Sequence, residues 1–228
     1  MTSIDTLVKR QTMYKDIFEA AANGTVDDVR FFVEQGVDVN VKDDNDWMSL
    51  HYATIYTSNA DVVKYLIEQG ADVNAKVDIS WAPWHTALRP DTGWTPVHFA
   101  ARYNNILSVK YLIDAGANVN AKTALGMTVL HVALVHHATI ELLEYLLDQG
   151  ADLNAIDNQG LTPLLRWLLN THIRDDAIER IDNAVAKLKH LIAHGADVNA
   201  SVTPLDLAVA EPLKVVIRES GGKSGAGL

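Results

Sequence analysis

The chain carries nine histidines and no cysteine, so metal or nucleophilic chemistry would have to run through imidazole, carboxylate or hydroxyl groups. His190 and His194 stand four apart, a spacing that places two rings on one face of a helix. A zinc site needs further ligands, and no carboxylate or third histidine falls at a matching interval. His136 and His137 are neighbours with the same shortfall. The sequence shows no nucleophile–base spacing, no HExxH and no glycine-rich phosphate cradle. Gly222-Lys223-Ser224 has the ending of a phosphate-binding loop, but Ile217 stands where its first glycine belongs, and a flexible Gly/Ser tail over 223–228 is expected instead. The reading is therefore of a chain without catalytic residues, metal or cofactor.

Charge narrows the partners. With 19 Lys+Arg against 29 Asp+Glu the net charge is −10, which disfavours a phosphate backbone, and no nucleic-acid partner is expected. At 48% hydrophobic and 21% charged residues, the 228-residue chain can bury a real core. No apolar run reaches the length of a spanning helix, so no membrane role is expected. Met1 to Arg10 lacks the pattern of a signal peptide. A cytoplasmic monomer is the expectation, with secretion as an effector or into a periplasm left open.

The elements that would position any site are announced by repetition. Gly36-Val37-Asp38-Val39-Asn40 returns as Gly70-Ala71-Asp72-Val73-Asn74, Gly116-Ala117-Asn118-Val119-Asn120, Gly150-Ala151-Asp152-Leu153-Asn154 and Gly195-Ala196-Asp197-Val198-Asn199. The glycines are 34, 46, 34 and 45 residues apart. A second phrase falls between them: Ser49-Leu50-His51-Tyr52-Ala53, Thr95-Pro96-Val97-His98-Phe99-Ala100 and Thr128-Val129-Leu130-His131-Val132-Ala133, with weaker copies at Thr162-Pro163-Leu164-Leu165 and Thr203-Pro204-Leu205-Asp206. Threonine or serine suits a helix N-cap and proline the first helical position. Apolar residues at helical spacing follow, such as Val62, Val63, Leu66 and Ile67. Glycine then closes the second helix where a left-handed backbone is needed.

Together the two phrases resemble the ankyrin repeat, over roughly residues 12–221. The resemblance implies an all-α solenoid of stacked helix-turn-helix units with hairpin-like fingers between them. One domain is expected over 1–222. Its repeats fall at about 10–40, 41–74, 75–120 with an insertion at 77–90, 121–154, 155–199 with extended helices, and 200–222 as a C-terminal cap. Phe18 stands where histidine belongs in the first unit. In the family, His51, His98 and His131 would tie units together through backbone hydrogen bonds.

Two insertions set this chain apart. The first holds Trp81 and Trp84 together with Pro83 and Pro90, which break regular structure, and is read as a lengthened finger or ordered loop. The second predicts helices at about 161–172 and 175–193, the latter with Ile178, Ile181, Val185, Leu188 and Ile192 on one apolar face. A ridge covering neighbouring repeats is the expected role, with a dimer contact as the alternative.

The family's usual binding surface is the concave side, made of finger tips and the exposed face of each first helix. Alignment by the second phrase puts Trp47, Trp94 and Met127 at successive tips, and Tyr56, Arg102 with Tyr103, and His136 at first-helix ends. Trp81 and Trp84 join from the insertion. Aromatics and arginine are the residue types enriched in binding hot spots, so this patch is expected to hold a partner protein. Packing of Trp47 and Trp94 between fingers is the rival reading. On the binding reading, alanine at Trp84 and Trp94 abolishes capture without loss of stability. Asp43, Asp44 and Asp46 at one tip and Asp91 at the next make an acidic rim that suits a basic or amphipathic segment. The expected function is a non-enzymatic adaptor or scaffold. An inhibitor or immunity protein whose Trp81–Trp84 loop blocks an enzyme, or a secreted bacterial effector, is the alternative.

Overall fold

The computed structural model describes residues 13–56, 60–78, 92–103, 105–136, 138–170, 178–199 and 211–222. Among them are eleven helices and one two-stranded sheet. The chain divides into two compact units, residues 1–118 and 119–228.

The first unit holds three helical hairpins. Helix α1 (Ile17–Asn23) is followed by α2 (Val26–Glu34), α3 (Ser49–Tyr56) by α4 (Ala60–Glu68), and α5 (Pro96–Arg102) by α6 (Ile106–Asp114). The starts are written locally. Asp16 accepts the Glu19 N–H at 2.8 Å, and Thr25 forms a reciprocal cap with Asp28. Thr95 caps α5 with His98 as its reciprocal partner. The ends are glycine. Gly70 and Gly116 sit at φ 88° and 93°, and the next amides, Ala71 and Ala117, reach back to Leu66 and Leu112 at 3.0 and 2.9 Å.

Packing runs in two rows. The first helices α1, α3 and α5 stack on one another, as do the second helices α2, α4 and α6. Small residues make the first row close: Ala20, Ala21, Ala53, Ala100 and Ala101 are fully buried. Val62, Val63, Leu66, Val109 and Leu112 fill the second. Each such leucine contributes about 2 kcal/mol of apolar burial. Cations of one second helix lie on aromatic rings of the next, Arg30 over Tyr65 at 5.3 Å and Lys64 over Tyr111 at 5.7 Å.

Strand β1 (Val77–Asp78) pairs antiparallel with β2 (Thr92–Trp94), Val77 opposite Trp94. The 77–90 insertion thus leaves from and returns to a short two-stranded stem. Its residues 79–90 lie outside the described residues.

The second unit opens with α7 (Val129–Val135) and α8 (Ile140–Asp148), then α9 (Pro163–Asn170), α10 (Ile178–Ala193) and α11 (Glu211–Glu219). Helix α7 packs on α8 and α9, and α10 on α11. Residues 171–177, where the two extended helices were expected to meet, fall outside the described residues. The buried face of α10 is Ala184, Leu188 and Leu191. That corrects the expected face: Val185 and Ile192 are only half-buried, because the contact stripe is rotated by about one residue. Its His190 approaches Glu144 of α8 at 3.8 Å, in the register where Lys64 meets Tyr111 in the first unit.

The asparagine that ends each glycine phrase joins one turn to the next. Asn40 donates to the Gly70 carbonyl at 3.0 Å and accepts the Asp72 N–H at 2.8 Å. Asn74 does the same with Gly116 and Asn118, Asn120 with Gly150 and Asp152, and Asn154 with Gly195 and Asp197. Asn199 donates to Gly221 at 3.2 Å.

Candidate functional site

The finger between α2 and α3 is organised by one carboxylate. Asp43 Oδ1 accepts the N–H groups of Asn45 and Trp47, each at 2.9 Å, and its Oδ2 accepts the Tyr52 hydroxyl at 2.5 Å. The finger is thereby clamped to the first turns of α3. Asp46 completes the tip at φ 65°, the only non-glycine with positive φ among the described residues. Gly93, Gly126 and Gly160 take the same conformation at the corresponding place in later fingers, just before Trp94, Met127 and Leu161.

Between this finger and α1 lies a groove of about 710 Å³. Asp16, Phe18 and Glu19 line it from α1, Asp43 and Asp44 from the finger, and Tyr52 from α3. The Phe18 and Tyr52 rings sit 5.7 Å apart, tilted by 47°, and both are half-buried. Lys15 and Lys42 are also on its wall, each beside a carboxylate: Asp16 at 3.7 Å and Asp46 at 3.6 Å.

The second unit repeats the clamp with a different partner. Asp157 Oδ1 accepts the Gln159 and Leu161 N–H groups at 2.8 and 3.1 Å. Its Oδ2 accepts Nε of Arg166 at 2.8 Å and Nη2 of the same guanidinium. Arg166 stands nine residues after Asp157, as Tyr52 stands nine after Asp43.

The structure disperses the aromatic patch read from sequence. Trp47 is 0% and Trp94 4% exposed, so neither projects as expected. Both indoles pack against Phe99, at 5.3 and 5.1 Å, and Trp47 also meets Tyr52 at 5.5 Å. A finger tip just before a first helix folds back over that helix, which carries a large side chain into the seam between neighbouring repeats rather than outward. Tyr103, by contrast, is 44% exposed, with the Arg102 guanidinium 5.7 Å from its ring. Tyr56 ends α3, and its ring lies outside the described residues, as do Trp81, Trp84 and Asp91. In the second unit Met127 is half-buried in its finger, its carbonyl accepting the Thr123 N–H at 3.0 Å, and His136 is the half-buried C-cap of α7. Asp43, read as part of an acidic rim, faces the groove but is spent largely on its own finger; Asp44 and Asp46 are exposed. Phe18, Glu19 and Tyr52 were not among the site residues expected from sequence. Their signal was positional: Phe18 replaces the histidine of its unit, and Tyr52 directly follows one.

The buried histidines are structural. His51 Nε2 donates to the Ala75 carbonyl at 3.1 Å, which leaves Nδ1 to accept the Met48 N–H at 3.1 Å. His131 bonds the Leu161 carbonyl at 3.0 Å and the Thr128 N–H at 3.1 Å in the same way. Burial favours the neutral ring, lowering His51 from 6.5 to about 4 against the opposing pull of the Ala75 carbonyl; His131 is lowered for the same reason. The His190 and His194 rings meet at 4.2 Å, tilted by 38°, and His194 Nδ1 lies 2.8 Å from the His190 carbonyl. Among the described residues, no group of three or more His, Asp or Glu is arranged to hold a metal ion, and no helix is long and apolar enough to cross a membrane.

Paired helices closed by glycine, joined by asparagine and locked by buried histidine define a helical-repeat protein. A family model of ankyrin repeats matches residues 16–77 and 82–157, in three copies. The match covers more than half of the chain, which belongs to the ankyrin-repeat family. No curated protein matches it. Ankyrin repeats are in general modules for protein–protein interaction and typically carry no catalytic activity.

Proposed function

We propose that the chain is a non-enzymatic adaptor that captures a partner protein where its finger tips meet its first helices. The observation that carries this reading is the groove beside α1. It is open and lined by two half-buried aromatic rings, and one wall is clamped by the Tyr52–Asp43 hydrogen bond. A surface held in this way loses little conformational entropy on docking. Tyr103, exposed at the end of α5, adds an aromatic contact in the same unit. Trp81 and Trp84 belong to the proposal on the sequence alone.

Affinity capture from native lysate, with wild type beside an Asp44→Arg/Tyr103→Ala variant, tests it. Both side chains are exposed, so the variant should keep its helical circular dichroism and melting temperature while losing the proteins that wild type retains. Unchanged retention by the folded variant would remove the assigned surface. No protein retained above bare matrix would remove the adaptor reading itself.

A further inference from the structure

We propose that the groove beside α1 receives an arginine side chain from an extended basic segment of the partner, with Asp43 as the carboxylate that reads the guanidinium. The proposal rests on the protein-binding reading and gives the partner its chemistry. Its main support is a precedent within the same chain. Asp43 and Asp157 hold equivalent finger positions and make the same two Oδ1 bonds to backbone N–H groups. Asp157 Oδ2 then takes two N–H donors from Arg166. Asp43 Oδ2 takes one donor, the Tyr52 hydroxyl. A carboxylate oxygen accepts two, so the first finger offers a half-filled acceptor where the later one is filled by arginine.

The surroundings select a cation of planar shape. Asp16, Glu19 and Asp44 join Asp43 on the wall against Lys15 and Lys42, each of which already faces a carboxylate. The balance is negative in a chain of net charge −10, and an acidic segment would be repelled. Phe18 and Tyr52 present tilted rings at 5.7 Å, against which a guanidinium can stack while its fork meets the carboxylate. The ammonium of lysine has no fork and stacks less well.

The test uses the full-length, isotope-labelled chain and a capped Ala-Arg-Ala-Arg-Ala peptide, with lysine, citrulline and glutamate counterparts, followed by amide chemical shifts. Perturbations should concentrate at Glu19, Asn23, Asn45 and Tyr52. The arginine peptide should bind about fivefold or more tighter than the lysine peptide, and the citrulline and glutamate peptides should not bind. Glu19→Gln with Asp44→Asn should weaken binding about tenfold. Tyr52→Arg should abolish it by supplying Asp43 with a guanidinium from within, as Arg166 supplies Asp157. Shifts spread evenly over the acidic chain, equal arginine and lysine affinities, or affinity unmoved by the Glu19/Asp44 variant would overturn the proposal. Tighter binding after Lys9→Ala/Arg10→Ala would make the chain's own N-terminal residues the occupant and overturn it too. If the peptide fails while lysate capture still retains a partner, this inference falls and the adaptor reading stands. If the peptide binds and nothing is captured, the reverse holds.

Discussion

Asp46 does a glycine's task at a finger tip. An aspartate at φ 65° is strained relative to glycine by roughly 1 kcal/mol. Its 3.6 Å contact with Lys42 is exposed on both sides and returns little of that. Asp46→Gly should therefore raise the urea midpoint, corresponding to a gain of about 0.5–1 kcal/mol. A lower midpoint would mean that the Asp46 carboxylate contributes more to the finger than the backbone loses. At this scale the sequence was partly legible. The finger aspartates were visible as charges, but that Asp43 folds its oxygens inward onto its own loop depends on a turn geometry that composition does not encode. Asp157 shows the same ambiguity, since only its spacing to Arg166 marks it as paired.

At the scale of elements, the helical hairpins and their boundaries were legible because each is punctuated twice, by a capping residue at the start and a glycine at the end. The orientation of Trp47 and Trp94 was not, because an aromatic at a finger tip serves equally well as a hot spot or as a wedge between repeats. Burial decides for the wedge. Trp94→Ala alone should cost about 3–5 kcal/mol in a urea titration, whatever it does to binding. A loss below 1 kcal/mol would show that the indole is not part of the packed seam. Of the boundary asparagines, Asn74 and Asn154 are exposed yet doubly bonded. Asn74→Ala removes one donor–acceptor pair to Gly116 and Asn118 and should cost about 1–2 kcal/mol by the same measurement. An Asp at this position keeps only the acceptor half and should recover part of the loss.

For the whole molecule, histidine sets the response to acid. His51 in the first unit and His131 in the second are both buried neutral, with folded pKa values below the unfolded 6.5. Below pH 6.5 the unfolded chain therefore binds protons that the folded chain refuses. For His51, stability should be full above that pH and fall as pH drops toward about 4, at up to roughly 1.4 kcal/mol per unit, and His131 adds to the loss in the same direction. For His51 the window amounts to on the order of 3 kcal/mol. Urea midpoints at neutral pH and near pH 5 check the slope, and His51→Gln should flatten it. A profile unchanged by that substitution would place the acid sensitivity elsewhere.

The asparagine bridges also have a mechanical meaning. Each described bridge reaches only the adjoining turn, through one or two side-chain hydrogen bonds. A force applied at one end of either unit would load such a joint singly rather than share the strain, so stretching should yield a train of small, similar rupture events instead of one large one.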